Sequence, residues 1–232
     1  MDSSLSDYES DLSDQSSLED ANEPVIPKSL PSTGIKKERV GYLELCMGPM
    51  FSGKTTYLTT TLTRLADTHK WKIAYVTHQR DIRDTVSKDS VVTTHSSLFR
   101  GLSTNIDGLK VSDLSEIDPT QYRAIGIDEA QFFNGLTKTV LEWVCVHKMY
   151  VIVSCLDADI HRKPFGEGLK LLPHADFYQK FRAVCKICIQ ESDSPIPAPF
   201  TARIINTCQD KIQVGGSEMY AAMCRFHHDQ RM

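Results

Sequence analysis

Apolar and polar positions along this chain follow two periods, and the switches between them mark its elements. Residues 40–48, VGYLELCMG, form a short run with β-branched and aromatic content that stops at a glycine, which predicts a strand. From Lys54 the spacing turns helical, with Leu58, Leu62 and Leu65 four and three apart on one face. WKIAYVTH (71–78) reads as the next strand. YRAIGIDEAQFF (122–133) holds a buried strand from Ala124 to Ile127 that ends in two acids. Residues 136–147 predict a helix, and MYVIVSCLD (149–157) is a nearly all-apolar strand. Strands that alternate with helices and are apolar on both faces imply an α/β fold, a parallel sheet covered by helices. No internal repeat is visible. Beyond residue 180 the pattern changes to cysteine pairs and a proline-rich spacer, SDSPIPAP, which predicts a separate small module. The boundaries that follow are a tail over 1–38, a nucleotide-binding domain over 39–180 and a small domain over 181–232.

Composition bounds this picture. The 232 residues fit one domain with an appendage, and 41% hydrophobic content suffices for a packed core. No apolar run approaches the roughly 20 residues of a membrane helix, and no basic start leads into an apolar stretch. The expectation is a soluble, cytoplasmic protein without a membrane partner. Net charge is −4, but residues 1–23 hold eight acids and seven serines with no Lys or Arg. The remaining 22 acids face 26 basic residues, leaving +4 on the rest of the chain. Such an acidic, Ser-rich tail cannot bury enough apolar surface to offset its ordering entropy and reads as disordered.

Residues 46–58, CMGPMFSGKTTYL, carry Gly48, four residues, then Gly53, Lys54 and Thr55, between a predicted strand and a predicted helix. That is the context of a phosphate-binding loop. The glycines let backbone N–H groups turn inward, the helix N-terminus adds positive potential, Lys54 reaches the terminal phosphates and Thr55 offers its hydroxyl to Mg²⁺. Asp128, at the tip of an apolar strand, suits the Mg²⁺ shell. Glu129 beside it is a candidate general base for an attacking hydroxyl. QRDIRD (79–84) and HRKPFG (161–166) follow strands, and loops at C-terminal strand ends line the ligand crevice of open α/β sheets. Arg83, Arg162 and Lys163 are therefore candidates to neutralise phosphate charge, with one arginine serving the transition state.

Seven cysteines in an intracellular chain point to metal or buried thiols and not to a disulfide framework. Cys185 and Cys188 form a CxxC, and Cys224 with His227 a CxxH after 35 intervening residues. Two chelating turns offering four soft ligands are the arithmetic of a structural zinc site, with His228 a competing fourth ligand. The ion would pin a long loop, 189–223.

The motifs GPMFSGKTT, IGIDEAQFF, VIVSCLD followed by RKPFG, AVCKIC, and VGGSEMY followed by the CxxH occur in the order found in one family. Over residues 40–228 the chain resembles the zinc-containing thymidine kinases of the cellular and poxviral type. The resemblance implies transfer of the ATP γ-phosphate to the 5′-hydroxyl of thymidine with Mg²⁺, a deoxynucleoside salvage step for DNA synthesis. It also implies a P-loop domain, a small zinc-held domain with a lasso over the nucleoside, and a homotetramer. By position, Glu129 is the general base. ATP or its Mg²⁺ would be met by Gly48, Pro49, Met50, Phe51, Ser52, Gly53, Lys54 and Thr55, by Asp81 and Arg83, and by Asp128 and Gln131. The nucleoside pocket would use Met50, Phe133, Leu156, Thr201 and Tyr220, with the backbone of Ile212, Gln213, Val214 and Gly215 reading the base edge.

Three features depart from the family pattern. Where an aromatic usually packs on the base, LDADIHRKPFG places Ile160, and Asp159 brings a charge to a position that is usually small and polar. The lasso is longer, and the last zinc turn ends in His. A nucleic-acid-binding ATPase with a zinc finger would need a basic, aromatic face, but Lys186, Arg203, Lys211 and Arg225 are few and dispersed. The other alternative is a catalytically weak relative acting as a nucleotide-binding regulator.

Overall fold

The computed structural model describes residues 39–81, 105–192, 195–204, 216 and 218–231. Among these, six strands make one parallel sheet: β1 (Tyr42–Met47), β2 (Ile73–His78), β3 (Ile106–Val111), β4 (Ala124–Ile127), β5 (Tyr150–Cys155) and β6 (Phe177–Lys180). Their order is β3-β2-β4-β5-β1-β6, and every pairing is parallel.

The strand period of two sorts side chains between two layers. Leu43, Leu45 and Met47 of β1, Ile125 and Ile127 of β4, and Val151 and Val153 of β5 point into one apolar cluster, which α2 (Leu136–Cys145) closes with Leu136, Val140 and Trp143. Cys46, Ile73, Tyr75 and Ile152 point to the opposite face, where α1 (Lys54–His69) lays down Leu58, Leu62 and Leu65. These are the three leucines whose spacing predicts the helix. Gly126 lets α1 approach: a Cβ there would stand 2.5 Å from a Leu62 methyl. Glu44 is the polar exception on this face, and its carboxylate accepts from the Tyr57 and Tyr150 hydroxyls at 2.5 and 2.6 Å, as a buried charge requires.

Two strands of the sheet escape the sequence pattern. Both β3 (IDGLKV) and β6 (FYQK) lie at sheet edges, where one side is solvated and the apolar run is broken. The expected helix over 136–147 stops at Cys145.

Beyond residue 180, β7 (Ala183–Val184) pairs antiparallel with β8 (Pro197–Ala198), and β9 (Phe200–Arg203) with β10 (Tyr220–Met223). Helices α3 (Lys186–Ser192) and α4 (Arg225–Asp229) complete the segment. Its apolar cluster is built mainly from alanines and cysteines such as Ala183, Cys185, Ala202, Ala222 and Cys224, with Met223 the large buried side chain. Residues 1–38, the expected tail, lie outside the described residues.

Candidate active site

The strand order places β4, β5 and β1 side by side, so the segments leaving their C-terminal ends converge. After β1 the chain turns at Gly48, where φ is +148° and a Cβ would lie 2.5 Å from the Phe181 carbonyl oxygen. Phe51 and Gly53 also take positive φ, 63° and 85°, which curls the loop over the start of α1. Lys54 opens that helix with only 6% exposure, and its ammonium donates to the Pro49 carbonyl at 2.7 Å. Burial pushes its pKa down, and the nearby Glu129 and Asp128 carboxylates pull it back up.

Asp128 follows β4 and is 1% exposed. One carboxylate oxygen accepts from Thr55 Oγ1 at 2.8 Å and from the Tyr75 hydroxyl at 3.2 Å. The other accepts from Ser154 Oγ at 2.7 Å and from the Glu129 N–H at 3.0 Å. The sequence-predicted Mg²⁺ pair, Thr55 and Asp128, is thus brought into direct contact. These hard oxygens suit Mg²⁺, which is held through one or two carboxylates together with phosphates.

Glu129 sits in the left-handed region (φ 49°, ψ 40°), a conformation that costs a non-glycine residue on the order of 1 kcal/mol and concentrates at functional sites. The turn aims its carboxylate away from β4 toward Gln131, whose side-chain amide donates to it. The same Gln131 accepts the Leu156 N–H at 3.0 Å, tying the β4 and β5 loops together. Gly166 (φ 69°) packs on this residue, and a Cβ there would fall 2.6 Å from the Gln131 carbonyl oxygen. Cys155 lies near the charged groups of the site, but burial pushes its thiol up to about 12, so it stays protonated.

On the acceptor side, the Met50 N–H donates to Thr201 Oγ1 at 3.0 Å, linking the phosphate loop to β9 across 151 residues. Leu156 and Ile160 are half-buried on the segment after β5. Asp159, the unexpected charge, accepts from the N–H groups of His161 and Lys163 at 2.8 and 2.9 Å and so caps its own turn. Tyr220 is buried in β10 beneath the Arg203 guanidinium. Phe133 is 2% exposed within the sheet's core cluster and meets the His78 ring edge-on at 4.8 Å. Asp81 is buried at the end of β2, where its carbonyl accepts from Lys110. Arg162 is brought to α4: its guanidinium pairs with Asp229 at 2.8 Å. Arg83, Ile212, Gln213, Val214 and Gly215 lie outside the described residues.

Sequence reasoning missed a cavity of about 470 Å³ lined by His78, Gln79, Arg80, Ser112, Gln131, Phe132, Asn134 and Phe165. The Phe132 and Phe165 rings meet at right angles 5.9 Å apart. Both phenylalanines stand inside the motifs IDEAQFF and RKPFG, which was the available signal.

The metal candidates converge as their spacing predicts. Cys185, Cys188, Cys224 and His227 bring ligand atoms within 4.8 Å of one another. Nδ1 of His227 lies 3.5, 3.4 and 3.4 Å from the three sulfurs, and Cys188 and Cys224 stand 3.8 Å apart. Tetrahedral bonds of about 2.3 Å to sulfur put neighbouring ligands roughly 3.8 Å apart, so the set fits zinc and is too wide for a disulfide. The outer ring nitrogen of His227 faces Glu191 Oε2 at 3.3 Å, the arrangement that fixes a metal-binding imidazole. His228, the competing ligand, is outside the cluster, and its buried ring lies against Phe200.

The thymidine kinase family model matches residues 41–228. The chain is 33% identical to the thymidine kinase of Yaba monkey tumor virus over 191 residues, covering 81% of this chain and 94% of that one. It is 32% identical to thymidine kinase 1 of Dictyostelium discoideum over 195 residues (82% and 79%). With the Vaccinia virus (strain Ankara) thymidine kinase it shares 31% identity over 187 residues (80% and 95%). Among solved structures, the genome packaging NTPase of Sulfolobus turreted icosahedral virus 2 gives a TM-score of 0.39 at 15% identity, covering 68% of this chain and 83% of its own.

Proposed function

The chain belongs to the thymidine kinase family, and from that premise we propose that it transfers the γ-phosphate of ATP to the 5′-hydroxyl of thymidine. The observation that carries this reading is the contact of Thr55 with Asp128 at 2.8 Å, with Glu129 next in the chain. It joins a phosphate-binding loop, a metal-binding acid and a base within one small volume.

In this reading residues 48–55 cradle the triphosphate. Lys54 would leave the Pro49 carbonyl for the terminal phosphates, and Thr55 and Asp128 would hold Mg²⁺, which would neutralise charge on the transferring phosphoryl group. Glu129 takes the proton from the 5′-hydroxyl as that oxygen attacks in line. Gln131 orients Glu129 and couples it to Leu156. Met50, Leu156, Ile160, Thr201 and Tyr220 would line the thymine pocket, with the backbone of residues 212–215 reading the base edge. Phe133 backs the pocket, Asp81 supports the ATP side, and Arg83 is the arginine for the transition state. Residues 181–232 act as the cover, held by zinc on Cys185, Cys188, Cys224 and His227, which would supply rigidity and no chemistry. We further place the enzyme in the cytoplasm as a homotetramer. Among the described residues no helix is long and apolar enough to cross a membrane.

The test is radiolabelled ATP and Mg²⁺ against a panel of nucleosides, with zinc content and light-scattering mass taken on the same sample. Phosphorylation of thymidine in preference to ribonucleosides is expected. ATP binding without turnover on any nucleoside would overturn the reading in favour of a regulator.

A further inference from the structure

The segment after β5 that carries Ile160 is closed on itself. Ala158 bridges Pro164, the Asp159 N–H donates to the Lys163 carbonyl at 2.9 Å, and the Arg162 N–H donates to the Asp159 carbonyl at 3.0 Å. Arg162 at its tip takes φ 61°, a left-handed conformation that a non-glycine residue keeps only when its surroundings hold it there. These local bonds set the turn, and the side chain is anchored in the segment beyond residue 180. Its guanidinium pairs with Asp229 of α4 at 2.8 Å and lies 5.4 Å over the Phe200 ring of β9. Helix α4 is preceded by its N-cap Cys224 and contains His227, so two candidate metal ligands fix the element that presents Asp229. Phe200 in turn precedes Thr201, which accepts the Met50 N–H. An arginine paired to a carboxylate and stacked on an aromatic ring is committed to that place, whereas a transition-state arginine must follow a moving phosphoryl group.

We propose that Arg162 is a positioning residue: through Asp229 it fastens the Ile160 loop to the zinc-held helix, so that nucleoside binding, and not phosphoryl transfer, depends on it. The proposal rests on the thymidine kinase reading for its substrate, but the fastening itself does not. Both partners are partly exposed, at 28% and 49%, so the expected effects are moderate. Arg162→Gln and Asp229→Asn should each raise the KM and Kd for thymidine about three- to tenfold. The kcat at saturating thymidine and the affinity for ATP should stay within about twofold of wild type. The double variant should be no worse than either single one, because the two side chains act as one contact. A kcat loss of about a hundredfold in Arg162→Gln with Asp229→Asn silent would overturn the proposal and make Arg162 a catalytic residue. Additive losses would overturn it too. If the wild-type protein phosphorylates no nucleoside, the functional reading fails by itself. The fastening is then read from zinc release to a colorimetric chelator by the four holoproteins. Faster, non-additive release in the variants supports it, and equal rates overturn it.

Discussion

Asp128 is the residue at which stability and catalysis can be separated by the choice of substitution. Its carboxylate is 1% exposed and serves three hydroxyls and one backbone N–H, that of Glu129. A hydroxyl can turn and accept, but the N–H cannot, so in Asp128→Asn the side-chain oxygen must keep the Glu129 N–H. The new NH₂ then faces Thr55 and Tyr75, which can rotate to receive it. The hydrogen-bond number is kept, charge assistance is lost, and a buried charge is removed; the net cost should stay within about 2 kcal/mol. Asp128→Ala leaves the Glu129 N–H unpaired in a buried place and adds a small cavity, a cost of about 2–4 kcal/mol. For a chain of this size each kcal/mol moves Tm by roughly 2–4 °C, so the Ala variant should melt about 4–16 °C lower and the Asn variant at most about 8 °C lower, always above the Ala variant. Scanning calorimetry without added Mg²⁺ isolates this effect. Steady-state kinetics should meanwhile show kcat falling on the order of 10²–10³-fold in both, because either change removes the carboxylate charge from the metal-binding pair. Equal melting temperatures for Asn and Ala would refute the claim that this carboxylate fixes the Glu129 backbone, and an Asn variant with full kcat would remove Asp128 from the metal shell.

Glu129→Gln should lower kcat by roughly 10²–10⁴-fold while ATP affinity, followed by calorimetry, changes little; a full-speed variant would end the general-base assignment. Cys185→Ser should reduce bound zinc, measured by atomic absorption, and weaken thymidine binding before ATP binding; wild-type zinc content would refute the metal site. His78 gives a pH signature. Its Nδ1 accepts the Arg80 N–H at 2.9 Å, and burial, then the Arg80 charge, holds its pKa below the usual 6.5. The unfolded chain therefore binds the proton more readily, so this contribution is complete above pH 6.5 and lost as pH falls below it. Asn presents an acceptor near the same place without titrating, so His78→Asn should flatten that acid limb in denaturant titrations; an unchanged limb would assign it to other groups.

The sheet was legible, and the candidate donor half could be assembled from the sequence, because their signals are local. The candidate phosphate loop lies within residues 48–55, the proposed metal acid ends an apolar strand, and the candidate zinc ligands come as two short turns. The edge strands β3 and β6 were not legible, because one solvated side erases the apolar run that marked their neighbours. The left-handed turn at Glu129 was hidden for a different reason. It is stabilised by Asp128 accepting its N–H and by Gln131, itself packed under Gly166, and no spacing rule encodes that closure. Arg162 shows the same limit: as a charge after a strand it suggested phosphate, and only the fold reveals Asp229, 67 positions away, beside it.

The contact between Met50 and Thr201 also changes what the phosphate loop can do. A loop of this kind holds anions through successive backbone N–H groups. Here Pro49 has none to give, and that of Met50 is spent on the Thr201 hydroxyl. In the proposed reading, the backbone donors of the 48–55 loop left for the triphosphate are those of residues 51–55, where Phe51 and Gly53 take positive φ and the chain runs into α1. The first part of the loop is given over to β9, whose partner β10 ends just before the ligand Cys224. The zinc segment is therefore joined to the rest of the site through backbone at Met50 as well as through the side chain of Arg162. Disturbing the zinc segment should reach the nucleoside through both connections, while the triphosphate, held further along the loop, is reached through neither.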